Sequence, residues 1–340
     1  METASVKILY NGKNISADIS EHLLSLTYTD KTHGESDELE IELEDASKLW
    51  QFDWYPEKGA KITASIYDGH GKILECGTFQ LDEIEQRGGI DGDFITFKCI
   101  AAGITQKVRT KNNSVHNQKT LREIANTIAA RHGLTIAGNI ENVTIGYMAQ
   151  VKETDLHFLK RIAFEYGHVF SLRDNKIIFT NLFELESRGG VATISREDIV
   201  SYSITDKTAD TYKSTRLKYH DPAQRKLVEW QQQEQNEAYS DVKGDSLELT
   251  GRAENVGQAQ LKSKAALHNK NSRQQSGNIS MPGHVLMMAG NNIELAGLGK
   301  LSGLYHIESS THVVTRSGAY TTEGEIKRVG KISTSKQKPL

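Results

Sequence analysis

A mainly β chain with α+β insertions is what this sequence predicts, and three patterns predict it. Short apolar–polar alternations with Gly and Asn turns fill the first hundred residues and return after residue 195. Between them the apolar period lengthens to that of a helix over two stretches. Only four prolines but 28 glycines occur among 340 residues, which leaves the turns to Gly, Asn and Asp.

Residues 1–110 read as a first small barrel or sandwich of six or seven strands. Ser5 to Tyr10 runs into Asn11-Gly12, a hairpin signal, and the apolar run His22 to Tyr28 follows. In the next strand Leu39, Ile41 and Leu43 alternate with Glu40, Glu42 and Glu44, giving one apolar and one acidic face. Strands are expected at Lys61 to Tyr67, Lys72 to Ile84 and Asp93 to Ile100, the first two separated by the turn Asp68-Gly69-His70-Gly71.

Residues 111–195 read as an α/β module. Leu121, Ile124, Ala125, Ile128 and Ala129 recur at helical spacing, with Thr120 and Glu123 placed as a capping box and Gly133 as the stop. A second helix starts at Thr154-Asp155, carries Phe158, Leu159, Ile162, Ala163 and Tyr166 on one side and stops at Gly167. Strands Val169 to Arg173 and Lys176 to Thr180, joined by Asp174-Asn175, complete it.

A discontinuous second β region is expected over 196–231 and 275–330, with strands at Ile199 to Thr205, Tyr212 to Tyr219 and Lys226 to Gln231 before the break. The break, 232–274, opens with a polar loop and continues as a helix from about Asn255 to Asn269, with Val256, Ala259, Ala266 and Leu267 among its apolar positions. Residues 331–340 read as a basic tail.

Composition bounds the function. Lys and Arg number 41 against 44 Asp and Glu, for a net charge of -3, and no basic patch for nucleic acid stands out. The charge is uneven: residues 1–110 hold 11 basic and 20 acidic side chains, a net of -9, and the remainder 30 and 24, a net of +6. Such separation suits head-to-tail docking or distinct partners as well as solvated faces. No run approaches the ~18 apolar residues of a membrane span, and METASVKILYNG lacks the features of a signal peptide, so no membrane anchor and a cytoplasmic chain are expected. Cys76 and Cys99 sit in separate strand patterns without metal-ligand spacing and read as free, buried thiols.

The chemistry-bearing patterns fail one by one. Glu40, Glu42 and Glu44 share one exposed face of one strand, whereas glycosidase carboxylates face each other across a cleft. The histidines show no HExxH spacing, and His306 and His312 read as surface or packing residues. There is no GxSxG elbow, and the Gly297 to Gly303 stretch fits neither phosphate-loop spacing nor the start of a helix. Trp50 and Trp54, beside Pro56 and Gly59, read as a packed loop. No catalytic residue, cofactor or metal site is therefore expected.

Other landmarks are more distinctive. Gly34-Glu35-Ser36-Asp37-Glu38-Leu39-Glu40, Asp45, Trp50, Trp54-Tyr55-Pro56, Gly59 and Cys76-Gly77-Thr78-Phe79 stand in order in the first region. Thr120 to Ala125, His132-Gly133-Leu134, Gln150, Glu153 to Ala163 and Tyr166-Gly167 follow in the module. Met281-Pro282-Gly283, Ala289-Gly290, Gly303-Leu304-Tyr305, His312 and Ser317-Gly318-Ala319-Tyr320-Thr321-Thr322 close the pattern. This succession resembles the phage late control D family, the tail-hub proteins of contractile phages; residues 184–275 match least.

The resemblance implies two tube-like β-barrel domains joined by the α/β module, with an insertion in the second barrel. Three chains would form a ring of six barrels adapting a six-fold tail tube to a three-fold spike. It implies a homotrimer in the baseplate of a phage or phage-like particle, assembled in the host cytoplasm, with spike, tail tube and baseplate wedge proteins as partners and DNA passing without sequence-specific binding. The hub of a tail-like bacteriocin or secretion apparatus is the near alternative, and a baseplate-borne peptidoglycan- or carbohydrate-cleaving enzyme the distant one. Glu40, Glu42 and Glu44 are the candidate interface or channel row.

Overall fold

The computed structural model describes residues 3–33, 36–101, 110–173, 175–221, 226–239, 245–250 and 253–330. Gly34, Asp174, part of the polar loop (240–244) and the basic tail 331–340 lie outside the described residues. No helix among the described residues is long and apolar enough to cross a membrane.

The first β unit contains β1 (Ser5–Tyr10), β2 (Lys13–Asn14), the single turn α1 (Ser16–Ile19), β3 (Leu23–Lys31), β4 (Glu38–Glu44), β5 (Lys61–Tyr67), β6 (Ile73–Gly89) and β7 (Gly92–Ala101). Asn11 and Gly12 both take positive φ in the β1–β2 hairpin, the conformation a two-residue turn requires. Strand order is β3-β4-β7-β6-β5-β1-β2, and Leu26, Leu39, Ile41, Leu43, Ile62 and Phe79 fill the core on one face. β6 runs five residues beyond the expected strand end, and its last turns project with β7 as an exposed arm.

The α/β module follows as β8 (Lys111–Thr120), α2 (Leu121–His132), β9 (Thr135–Ala137), β10 (Thr144–Thr154), α3 (Asp155–Glu165), β11 (His168–Arg173), β12 (Lys176–Asn181) and α4 (Leu182–Glu186). Thr120 caps α2 through a complete capping box, and Gly133 ends it in the left-handed conformation. Thr154 caps α3 at the His157 amide. The two helices close over β9, β11 and β12 through Ile124, Ile128, Phe158, Ile162, Phe170 and Phe179. The sequence pattern does not announce the ribbon β8–β10, whose residues are mostly polar.

The chain then makes β13 (Thr193–Ser195) and β14 (Ser201–Asp206), leaves for an insertion of β15 (Ser214–Asp221), β16 (Lys226–Gln233), β17 (Ser246–Leu249) and α5 (Val256–Asn271), and returns as β18 (Gln275–Pro282), β19 (Asn292–Ala296), β20 (Gly303–Thr315) and β21 (Tyr320–Arg328). Two expectations need correction here. The strands expected at Tyr212 to Tyr219 and Lys226 to Gln231 do not join the second β unit: β15 pairs β16 and β17, and Leu217, Tyr219 and Trp230 bury against Ala259 of α5. Alternation shows that a strand has one buried face but not which element covers it. Along α5, Val256 is exposed and Ala265 is buried, and Gln258, Ser263, His268 and Asn271 are buried as well, so the covered face is largely polar.

β13-β19-β20-β21-β18-β14 form the second unit around Ile279, Met287, Ile293, Tyr305, Ile307 and Ile326. The two β units share one hydrogen-bonded sheet. β20 pairs antiparallel with β3 from Ser309↔Lys31 to Thr315↔Ser25, and Val285 and Val314 enter the first core.

Candidate assembly surfaces

The acidic row lies on β4, between β3 and β7, with Leu39, Ile41 and Leu43 turned into the core. The outward placement follows from the alternation, but the row is not bare. Glu42 pairs with Arg87 at the arm of β6, and Ser25 donates to it. Glu44 meets Arg316, Nη2 to Oε2 2.7 Å, and Glu40 faces Lys98 in register. Glu40 is exposed, while Glu42 and Glu44 are half-buried. The expected single exposed face is thus largely neutralised by the chain's own cations. Arg87 and Arg316 were missed because they lie 45 and 272 residues away in sequence.

The remaining pattern residues hold loops in place. Trp50 is buried, and its amide donates to Asp45 Oδ1 at 3.0 Å. Trp54 packs edge-on to Trp50, centroids 5.3 Å apart, yet stays 41% exposed beside Phe52 and Tyr55, so the loop is only half packed. Pro56 is buried, and Gly59 has positive φ and donates to the Leu81 carbonyl. Gly77, at φ 101°, stands where β6 carries one extra residue against β5, the bulge that bends this strand.

At the other end of the chain, Pro282 pairs with Thr321, and the Gly283 amide donates to the Tyr320 carbonyl at 2.8 Å. A Cβ at Gly283 would enter the Tyr320 ring. Gly290, at positive φ, donates to the Ile307 carbonyl, and the Thr322 hydroxyl accepts from the His284 amide. His312 is wholly buried: Nε2 donates to the Met287 carbonyl at 2.9 Å, and Nδ1 lies 2.8 Å from the Tyr320 hydroxyl. Burial lowers its pKa to about 4, so it is neutral and accepts from that hydroxyl. His306, buried too, bonds Asn292 Oδ1 at 2.7 Å and is lowered to about 4 by burial and the Lys327 charge. Both histidines are interior packing groups.

Two buried charge clusters, neither legible in sequence, join the parts. Asp30 and Asp37 share a hydrogen bond beneath the first unit, with the Tyr28 hydroxyl donating to Asp37 and Arg173 of β11 3.9 Å away. Burial first, then the Asp30 charge, raises Asp37 to about 8. In the second unit Lys327 lies between Glu186 of α4 at 3.0 Å and Glu308 at 3.1 Å, with His268 of α5 3.1 Å from Glu186. Burial works against the Glu186 charge, but His268 and Lys327 outweigh it and hold its carboxyl far below the usual range. Burial likewise opposes the Lys327 charge, and the two glutamates raise it to about 12.

Cys76 and Cys99 are free and buried, and burial raises both thiols, Cys99 to about 12. Among the described residues no group of three or more His, Cys, Asp or Glu could hold a metal ion. A recess between insertion and module is lined by Phe183, Gln232, Glu234, Lys264 and His268. What the named side chains do is brace loops, cross the sheet and lock the module and the insertion to the β units.

The sequence profile of the phage tail baseplate hub (GPD) family matches residues 104–318. Two curated relatives are the probable baseplate hub proteins of Escherichia phages 186 and P2. The first is 28% identical over 204 residues, 59% of this chain and 50% of the relative; the second is 30% identical over 214 residues, 62% and 52%. The chain spans about half the length of these relatives. Its fold is similar to that of a tail protein from Neisseria meningitidis MC58, with a TM-score of 0.70 at 14% identity over 96% of this chain and 97% of the other. A 43 kDa tail protein of prophage MuSo2 from Shewanella oneidensis gives 0.69 at 12% identity over 96% and 98%. An Escherichia coli component of the type VI secretion system gives 0.57 at 12% identity over 92% and 76%. With the profile covering more than half of its residues, the chain belongs to the phage tail baseplate hub family.

Proposed function

We propose that the protein is a structural hub: three copies close into a ring in the baseplate of a contractile phage or phage-like particle, adapting a six-fold tail tube to a three-fold spike. The observation that carries this reading is the single sheet spanning both β units, in which the outer side of β14 and the arm of β6 are left open. Among the described residues β14 pairs only with β18, and β6 beyond Leu81 pairs only with β7. Open edges invite strand addition, and head-to-tail contacts between copies would cover both while closing a ring. Two units per chain then give six around the axis.

Family membership and the fold shared with tail proteins support the reading. The partners it implies are spike, tube and wedge proteins. DNA would cross the ring without sequence-specific binding, and assembly would occur in the host cytoplasm. Light scattering on the purified chain, alone and with the spike, should give a trimer; a strict monomer or tetramer in solution and in particles would overturn the ring. Peptidoglycan zymography tests the enzymatic alternative, since clearing that a single carboxylate substitution abolishes would replace the structural reading.

A further inference from the structure

The two β units repeat one strand plan. Strand order is β3-β4-β7-β6-β5 in the first and β14-β18-β21-β20-β19 in the second, and the ladders align residue by residue. Across the first, Thr27 pairs with Glu40, Glu40 with Lys98 and Lys98 with Glu83. Across the second, Ser203 pairs with Asn278, Asn278 with Glu325 and Glu325 with Ser309. Just before these rows end, each long strand skips one acidic residue, Asp82 in β6 and Glu308 in β20. The alignment sets Thr29-Asp30-Lys31-Thr32, at the end of β3, on Thr205-Asp206-Lys207-Thr208, at the end of β14, and the four residues are identical.

In the first unit this segment is covered. β20 beyond its bulge lies on β3, Ser309 opposite Lys31 and Thr311 opposite Thr29, and the Thr32 amide donates to the Glu308 carbonyl at 3.0 Å. Tyr28 and Asp30 are buried there. The matching segment of β14 has no second strand beside it among the described residues: β14 pairs only with β18, Tyr202 is 43% exposed, and Asp206 is exposed too. The strand that corresponds to β20 beyond its bulge is the arm of β6, residues 83–89, which pairs only with β7. The described residues thus hold one complete junction, β20 on β3, and the two separated halves of a second.

We infer that the β6 arm of one copy adds to β14 of the next in the register of β20 on β3, with Glu83 opposite Lys207, Glu85 opposite Thr205 and Arg87 opposite Ser203. The inference rests on the ring reading above and names the strands and the register that close it. The two halves fit chemically. Ile84 and Ile204, each packed against its own unit's core, fall on the same side of the new ladder, whereas a slip of one residue would turn them to opposite faces. Glu83, 3.1 Å from Lys98 within its own chain, gains a second cation in Lys207. Asp206, the counterpart of buried Asp30, brings its own donor, Gln275 Nε2 at 2.7 Å.

The ladder also selects the pair to test. Hydrogen-bonded and close pairs alternate along antiparallel strands; Thr32 on Glu308 is hydrogen-bonded, so Thr29 and Thr311, whose hydroxyls lie 3.4 Å apart, are a close pair. Thr205 and Glu85 inherit that place, within reach of a disulfide. The test is oxidative cross-linking of the full-length chain, purified and in assembled particles, read by electrophoresis and light scattering. Glu85→Cys with Thr205→Cys should give covalent dimers and trimers that a reductant dissolves, and Glu85→Cys with Ile204→Cys, one residue out of register, should give none. Lys207→Glu should keep the wild-type circular dichroism but shift trimer towards monomer in low salt, and adding Glu83→Gln should recover the trimer. A trimer in which the Glu85–Thr205 pair does not join, in which the off-register pair joins equally, or which Lys207→Glu leaves intact would overturn the inference while the ring stands. A wild-type chain that is monomeric both alone and in particles would overturn the ring and this inference with it.

Discussion

Where the first β unit meets the module, two carboxyl groups are buried side by side with one guanidinium at the margin; where the second meets it, a lysine is enclosed by two glutamates with a histidine behind them. Both clusters are interior, and both cross between elements far apart in sequence. The first lowers its charge by keeping a proton, the second by pairing. A proton is exchanged with solvent as pH changes, whereas an ammonium between carboxylates is not, so the two junctions should respond to opposite perturbations.

The largest effect should come from breaking the paired junction. Lys327→Met leaves the buried Glu186 and the half-buried Glu308 without their lysine and should cost about 3–5 kcal/mol in denaturant unfolding. Adding Glu186→Gln and Glu308→Gln should recover most of it, because the uncompensated charge and not the lost contact dominates. No recovery in the triple variant would mean that the cluster holds the fold by shape. Ile124→Ala and Ile162→Ala supply the apolar standard. Both side chains are wholly buried between the module's helices and sheet, so each should cost ~2–5 kcal/mol through lost burial and a cavity. An unchanged thermal midpoint would show that the helix faces are misassigned.

The pH dependence separates the two junctions most directly. Asp37 has its folded pKa raised to about 8, above that of the unfolded chain, so its contribution is full below the ordinary carboxylate range and is lost as pH rises towards 8. Glu186 has a depressed folded pKa, so its contribution is present above the ordinary range and is lost as pH falls below it. Asp37→Asn should therefore flatten the decline in melting temperature on the alkaline side, and Glu186→Gln the decline on the acid side. Profiles parallel to wild type would remove the proton-sharing account. The smallest effect should come from the surface: Glu40→Gln, Glu42→Gln and Glu44→Gln together should change stability by about 1 kcal/mol or less, since these pairs stay in contact with water. Incomplete, salt-sensitive baseplates would favour a docking role for the row, and intact particles with impaired ejection a channel role; normal particles and ejection would leave it a solvated face.

Local chemistry made much of the fold legible. Thr120, Glu123 and Gly133 mark both ends of α2 because capping is settled within four residues. Asn11-Gly12 marks a hairpin for the same reason. Pairing partners were less legible, since Leu217 and Trp230 alternate as any half-buried strand does, and only the fold reveals α5 as their cover. The arm of β6 beyond Leu81 is mostly exposed on both faces, and β8 buries only His116, so neither carries a clear apolar period. The acidic row was visible as a row, but its neutralisation by Arg87 and Arg316 is a tertiary fact. The two charge clusters draw on β3, the residue before β4, β11, α4, α5, β20 and β21, and no window of sequence contains either.

The direct pairing of Asp206 with Gln275 also has a consequence for the order of folding. The β14–β18 ladder can form only once the chain between these residues has closed, and a flexible loop of that length costs about 3 kcal/mol more to close than a two-residue hairpin. β15 and β16 are neighbours in sequence and can pair early, with α5 packing on them before the ladder exists. A preformed insertion brings the two strand ends together and shortens the search. It then serves as a splint on which the second β unit closes, and slowing its collapse should slow completion of the whole sheet.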